Sequence, residues 1–279
     1  MFLHIPCALA GTWGVKSSYI EEIVEWIAGM VSDSKRSPAD RTPKADCDAC
    51  DYASTRLRAG LCTPGDVCVV VESGRQIDRF FRANRDLAQL YLGDPFWERR
   101  AIATRYSPVE LLTPLIHDDD EVVRRAVAYR IPIEYLDELI NDTDREVRIT
   151  VADRLPEEKL EALANDSDYS VRTYVARRLP AGRLFQMIRD PDRAVRKTVA
   201  ERLPQVSLPL LAMDPEPEVR RVVAQRMAPK MLPMMLTDGE WVVRFEAAMR
   251  VGVEALSVLK SDPEPEIRAL VSERLEKEC

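Results

Sequence analysis

From residue 118 onward, the apolar residues of the 279-residue chain recur every 24 positions. In the repeat spanning 142–165, Val147, Val151, Ala152 and Leu155 fall at i, i+4, i+5 and i+8, which is one buried face of a helix. Asp118, Asp142, Asp166, Asp190, Asp214, Asp238 and Asp262 open the repeats and are predicted N-caps, with Pro191, Pro215 and Pro263 at the first helical position. Pro132, Pro156, Pro180 and Pro204 close the helices, because proline pushes the residue before it out of the α region. A short second element follows, with apolar pairs three apart: Leu136/Leu139, Leu160/Leu163, Leu184/Met187, Leu208/Leu211, Leu232/Met235 and Leu256/Leu259. That spacing suits a 3₁₀ or frayed helix, and no repeat alternates as a strand would. The expected fold is an all-α solenoid in which each repeat covers the apolar stripe of its neighbour.

Upstream the pattern changes. Residues 18–31 read as a short amphipathic helix with Ser18 and Glu21 as a capping box and Ile20, Ile23, Val24 and Ile27 on one face. An equal alternative is that the natural protein starts at Met30. Residues 33–44 are polar and contain proline, as a flexible linker would. Ser73 and Gln76 form another capping box, opening a helix whose apolar face, with Ile77, Phe80, Phe81 and Tyr91, covers the first repeat. Phe80, Phe81, Phe96 and Trp97 are read as the packing joint between this segment and the array. Residues 94–117 form an irregular first repeat, with Arg99, Ile102, Ala103 and Arg105 one place out of register. The resulting division is 1–31 as an N-terminal segment, 32–93 as a cysteine module with its capping helix, and 94–279 as the repeats.

Composition narrows the function. Hydrophobic residues make up 46% of the chain, enough for a large buried surface. Charged residues make up 31% and the net charge is −7, which argues against a non-specific nucleic-acid binder. No run of eighteen apolar residues is present and the opening has no basic residue before Lys16, so neither a membrane span nor a secretory signal is expected. The cytoplasm and a monomeric state are the expectation.

The candidate chemistry lies in Cys47, Cys50, Cys62 and Cys68, spaced C-x2-C-x11-C-x5-C. A C-x2-C pair sets two thiolates on one turn, and Gly60 and Pro64-Gly65 bend the chain to bring in the other two. In a reducing compartment such clustering points to metal rather than disulfides. Four soft ligands select zinc or an iron–sulfur cluster, and spacing divides evenly between a Cys₄ zinc site and a [4Fe–4S] cluster. Arg56 and Arg58 lie between the pairs, where they would either offset thiolate charge or sit in solvent. Cys7 and Cys279 have no partner motif and are expected to be free thiols.

The repeat D-x4-V-R-x2-V-A-x-R-L-P-x3-L-x2-L resembles the leucine-rich repeat variant, and the segment 73–108 after the last cysteine resembles the 4Fe–4S-binding members of that family. The resemblance implies a right-handed superhelix of alternating α and 3₁₀ helices behind an iron–sulfur module. It also implies a [4Fe–4S] cluster on Cys47, Cys50, Cys62 and Cys68 rather than zinc, and an accessory role in nitrogen-fixing bacteria.

Two arginine rows run through the array at the repeat period, Arg124 to Arg268 and Arg130 to Arg274. A guanidinium row either holds phosphates or an acidic partner, or pairs with the periodic aspartates and neighbouring glutamates; the negative net charge favours the second use. His4 and His117 are the two histidines, and no phosphate loop, nucleophile elbow or H-E-x-x-H motif is present. The chain therefore reads as a non-enzymatic protein that binds an unidentified protein partner. A zinc-stapled scaffold or nucleic-acid adaptor is the alternative.

Overall fold

The computed structural model describes residues 42–277. The expected helix over 18–31, the question of a start at Met30, most of the linker, His4, Cys7 and Cys279 lie outside the described residues. The chain divides into two compact units, Met1–Ser107 and Pro108–Cys279.

In the first unit an irregular stretch and a π-helical turn, Ala53–Leu57, precede α1 (Gly74–Ala83), α2 (Arg85–Ala88) and α3 (Trp97–Tyr106). Helices α1 and α3 pack together. Phe80, Phe81 and Ile77 from α1 are fully buried against Val69, Cys62, Ala88, Ile102 and Ala103. The two phenylalanines thus centre the module's own core, while Trp97 stays 38% exposed.

The second unit alternates α and 3₁₀ helices. Its α-helices are α4 (Glu121–Ala128), α5 (Arg145–Arg154), α6 (Tyr169–Arg178), α7 (Arg193–Arg202), α8 (Pro217–Arg226), α9 (Trp241–Arg250) and α10 (Pro265–Glu276). Each packs on the next. Between them lie 3₁₀ helices such as Ile133–Leu139, Leu160–Leu163, Ala181–Met187 and Gln205–Leu211. Leucines three apart belong on a helix of three residues per turn, and Leu160, Leu163, Leu208 and Leu211 are all buried. The α-helical stripe is equally dry: Val147, Val151, Ala152 and Leu155 are fully buried. Burial of each such Val or Leu side chain contributes about 1.5–3 kcal/mol.

The helix starts correct the expectation. Asp144, Asp168 and Asp192, two residues after the periodic aspartates, are the N-caps and accept from backbone N–H groups at Glu146, Ser170 and Ala194. The prolines at the first helical position are accordingly Pro217 and Pro265, not Pro191, Pro215 or Pro263. The periodic aspartates have another task. Asp142 Oδ1 accepts from the Asp144 N–H at 2.8 Å, and its carboxylate takes a two-pronged bond from the preceding repeat, Arg124 Nε to Oδ2 at 2.7 Å and Nη2 to Oδ1 at 2.9 Å. The same pairing joins Arg148 to Asp166, Arg172 to Asp190, Arg196 to Asp214, Arg220 to Asp238 and Arg244 to Asp262.

The second arginine row points the other way. Arg178 Nη1 donates to the Ala152 carbonyl at 2.7 Å, and Arg202 donates to both Ala176 and Leu179. These are carbonyls that a helix end leaves unpaired. Both rows are therefore structural, the first through aspartates as expected, the second through backbone carbonyls rather than acidic side chains. The helices stop at Leu155, Leu179 and Leu203 ahead of proline, yet Met227 and Val251 adopt the same extended backbone ahead of Ala228 and Gly252. At Val251 the carbonyl is taken by Arg274 at 2.8 Å, so the arginine of the following repeat marks the stop along with proline.

Residues 94–117 keep the repeat register. Asp94 accepts from the Phe96 N–H, and Arg100, six residues on, donates to the Asp94 and Pro95 carbonyls as Arg124 does to Asp118 and Asp119. The expected one-place slip does not occur; Arg99 simply occupies the position that valine holds elsewhere.

Candidate metal centre

The first cysteine pair sits on a turn. The Cys50 N–H donates to the Cys47 carbonyl, and Ala53 to Cys50, leading into Ala53–Leu57. That turn ends in a left-handed Gly60 (φ 72°), with Leu61 N–H bonded to Arg56 and Gly60 N–H to Leu57, a Schellman closure. It reverses the chain and delivers Cys62. A second reversal follows at Thr63-Pro64-Gly65-Asp66, where Gly65 has φ 78° and Asp66 N–H returns to the Thr63 carbonyl. Proline then glycine at the two central positions is what a type II turn requires. It returns the chain through the isolated Thr63–Val67 bridge to Cys68.

Cys62 and Cys68 are buried, 9% and 4% exposed, while Cys47 and Cys50 are half-buried. None of the four is in a disulfide. They are brought into one electrostatic neighbourhood. Burial, with Cys68, Cys47 and Cys50 acting in the same direction, pushes the Cys62 thiol up to about 11. The Cys47 thiol is raised by burial and then by Cys68, Cys50, Asp46 and Asp48. Among the described residues no group of three or more His, Cys, Asp or Glu side chains is set to hold a single metal ion.

Neighbouring helices tie this basket down. Gln76, fully buried on α1, donates from Nε2 to the Pro43 carbonyl at 2.9 Å, and its backbone carbonyl accepts the Cys68 N–H. Asn84 closes α1 and donates to the Leu61 carbonyl at 2.8 Å, next to Cys62. Arg99 on α3 holds the Val70 carbonyl at 2.8 Å, and Arg79 pairs with Asp66 on the second turn. The expected Ser73/Gln76 capping box is absent: Ser73 makes no side-chain cap and Gln76 faces Pro43 instead. The start of α1 is served by the buried Glu98 carboxyl from α3, which accepts from the Gly74 N–H and whose pKa burial raises. Arg56 pairs with Asp86 at 2.5 Å and Arg58 is exposed. His117 ends a 3₁₀ helix at the surface and meets Glu138 at 3.1 Å.

The family described as "LRV protein FeS4 cluster" matches residues 42–90, and that described as "Leucine rich repeat variant" matches 145–168 and 169–192. A solved structure, described as a leucine-rich repeat variant with a novel repetitive protein structural motif, is 60% identical, with a TM-score of 0.81; the match covers 84% of this chain and 100% of that one. This chain belongs to the leucine-rich repeat variant family. A second relative is an uncharacterized 27.7 kDa protein in the nifB 3′ region of Rhodobacter capsulatus, 39% identical over 95 residues. That match spans 34% of this leucine-rich repeat variant and 38% of the relative's length.

The donor set fits the iron–sulfur cluster that the matched module implies. Four thiols, all soft ligands, are held in mutual range by two glycine turns and a set of buried amide and guanidinium anchors. Such crowding is unfavourable for thiolates alone and is relieved by cationic iron. Among the described residues no helix is long and apolar enough to cross a membrane.

Proposed function

We propose that Cys47, Cys50, Cys62 and Cys68 hold a [4Fe–4S] cluster, and that the repeat array binds a macromolecular partner in an accessory role linked to nitrogen fixation. The observation that carries this reading is the convergence of four thiols in the segment that matches the FeS4 family. The match of residues 42–90 to a family described by its FeS4 cluster favours a cluster over zinc. A cluster supplies one-electron redox chemistry when bound; the protein's residues hold it and shield its buried side. The relative in the nifB 3′ region supports the link to nitrogen fixation. Lacking a catalytic constellation in its sequence, the chain acts as an accessory or electron-supply protein rather than an enzyme, in the cytoplasm and as a monomer.

The test is iron, zinc and sulfide analysis with visible and EPR spectra on protein purified without oxygen. About four irons per chain, brown colour and an EPR signal on reduction are expected. A colourless protein with one zinc leaves a stapled scaffold and ends the redox reading. Cys62→Ser is expected to lose the chromophore while the array keeps its helical circular dichroism.

A further inference from the structure

The 3₁₀ helices turn every three residues, so positions three apart share a face. With Leu208 and Leu211 buried, Ser207, Leu210 and Met213 form an outward face, and repetition places Met231, Met234 and Thr237, then Ala255, Val258 and Ser261, beside it. Leu210, Met213, Met231, Met234 and Val258 are 63, 85, 41, 48 and 56% exposed. The same face is mostly polar in the three repeats before them, carrying Glu138, Lys159, Arg183 and Arg189 with Tyr135 and Ala162 as its apolar members.

Charge is segregated along this edge as well. The arcs 132–141 and 156–165 hold Glu134, Asp137, Glu138, Glu157, Glu158 and Glu161 against Lys159, a net of −5. The four later arcs, 180–189, 204–213, 228–237 and 252–261, hold Arg183, Arg189, Lys230 and Lys260 against Glu254, a net of +3. The acidic arcs are partly neutralised from within and from the next repeat, by Lys159 on Asp137 and Arg183 on Glu161. Exposed Arg189, Lys230 and Lys260 make no ion pair among the described residues. In a chain of net charge −7, an exposed apolar stripe bordered by free cations is an exception that calls for a use.

We propose that this methionine-rich face, over the repeats opening at Asp190, Asp214 and Asp238, docks an acidic amphipathic helix of a partner protein. Packed helices lie about 8–10 Å apart, and residues seven apart on a helix rise about 10.5 Å. Apolar side chains at i, i+7 and i+14 of the partner therefore meet successive rows, and its flanking carboxylates meet the free cations. Methionine suits this role because its unbranched thioether adapts to the shape laid on it. The aliphatic centre disfavours nucleic acid, since single strands are held on aromatic platforms and these three rows carry none.

The inference rests on the partner-binding half of the proposed function, and the cluster plays no part in its test. The probe is a synthetic helical peptide with leucine along one face and glutamate elsewhere, compared by calorimetry with a twin carrying lysine for glutamate. The full chain is expected to bind the glutamate peptide at least about tenfold tighter than its twin, and more weakly as salt rises. Leu210→Glu and Met234→Glu are each expected to lower affinity about tenfold, and Lys230→Glu about threefold. Tyr135→Glu, in the acidic half, is expected to change nothing. Thermal melts of these surface variants should match the parent. Equal binding of the twins, no binding of either, unchanged affinity in the Leu210 and Met234 variants, or displacement by oligo-dT would overturn the proposal. Cross-linking in nitrogen-fixing cells separates the two levels: a partner caught equally by parent and Leu210→Glu/Met234→Glu protein rejects this face alone, whereas none caught by either rejects partner binding itself.

Discussion

Gln76 and Asn84 reach across 33 and 23 residues to hold the carbonyls of Pro43 and Leu61, flanking the first and third cysteines. Both are fully buried, and loss of either amide leaves a backbone acceptor without its donor. Gln76→Ala and Asn84→Ala are each expected to lower the stability of the module by about 1–3 kcal/mol. They should also speed bleaching of the chromophore in air, while leaving the array's melt unchanged; absorbance decay and circular dichroism check both. Neither role was legible in the sequence. Ser73 and Gln76 have the spacing of a capping box, and local spacing cannot reveal that a carbonyl 33 residues upstream claims the glutamine while a glutamate from another helix serves the helix start. The turns that carry the four cysteines were legible, because two turn glycines and a short C-x2-C pair act within a few residues.

At the level of the element, the buried ion pair decides more than the exposed one. The side chains of Arg196 and Asp214 are 9% and 2% exposed, and Arg196 also donates to the Asp190 and Pro191 carbonyls. Arg196→Met is expected to cost about 3–5 kcal/mol, because it strands a buried carboxylate, and Arg196→Met/Asp214→Leu is expected to recover most of that loss. Urea unfolding of the single and double variants measures the difference. Removing the exposed Arg183–Glu161 pair, at 3.5 Å, should change stability by less than about 1 kcal/mol. The α and 3₁₀ elements were readable because each carries its own period, 3.6 or 3. Helix starts were misplaced by two residues because both Asp142 and Asp144 are aspartates, and only the bidentate arginine on Asp142 shows which one faces the neighbouring repeat.

For the array as a whole, the ladder ties stability to acid. The Arg244 guanidinium beside Asp262 holds that carboxyl below the usual carboxylate range, with support from the Glu264 N–H and from Arg268. A carboxyl whose pKa is lower folded than unfolded contributes fully above its unfolded value, about 3.9, and loses that contribution as pH falls through the folded value. Melting temperature should therefore vary little with Asp262 down to about pH 4 and fall below it, whereas Asp262→Asn, less stable at neutral pH, should show a shallower acid dependence. A pH series of thermal melts tests the pair. The two arginine rows carry a further consequence. Arg172 reaches forward 18 residues to Asp190 while Arg202 reaches back 26 to Ala176. Excising 190–213 would present Asp214 to Arg172 and Arg226 to Ala176 in unchanged geometry, whereas losing one residue more or fewer would break every bond across the junction. Such a molecule can change length only in whole repeats, so gain or loss of a complete repeat is the length change its architecture accepts.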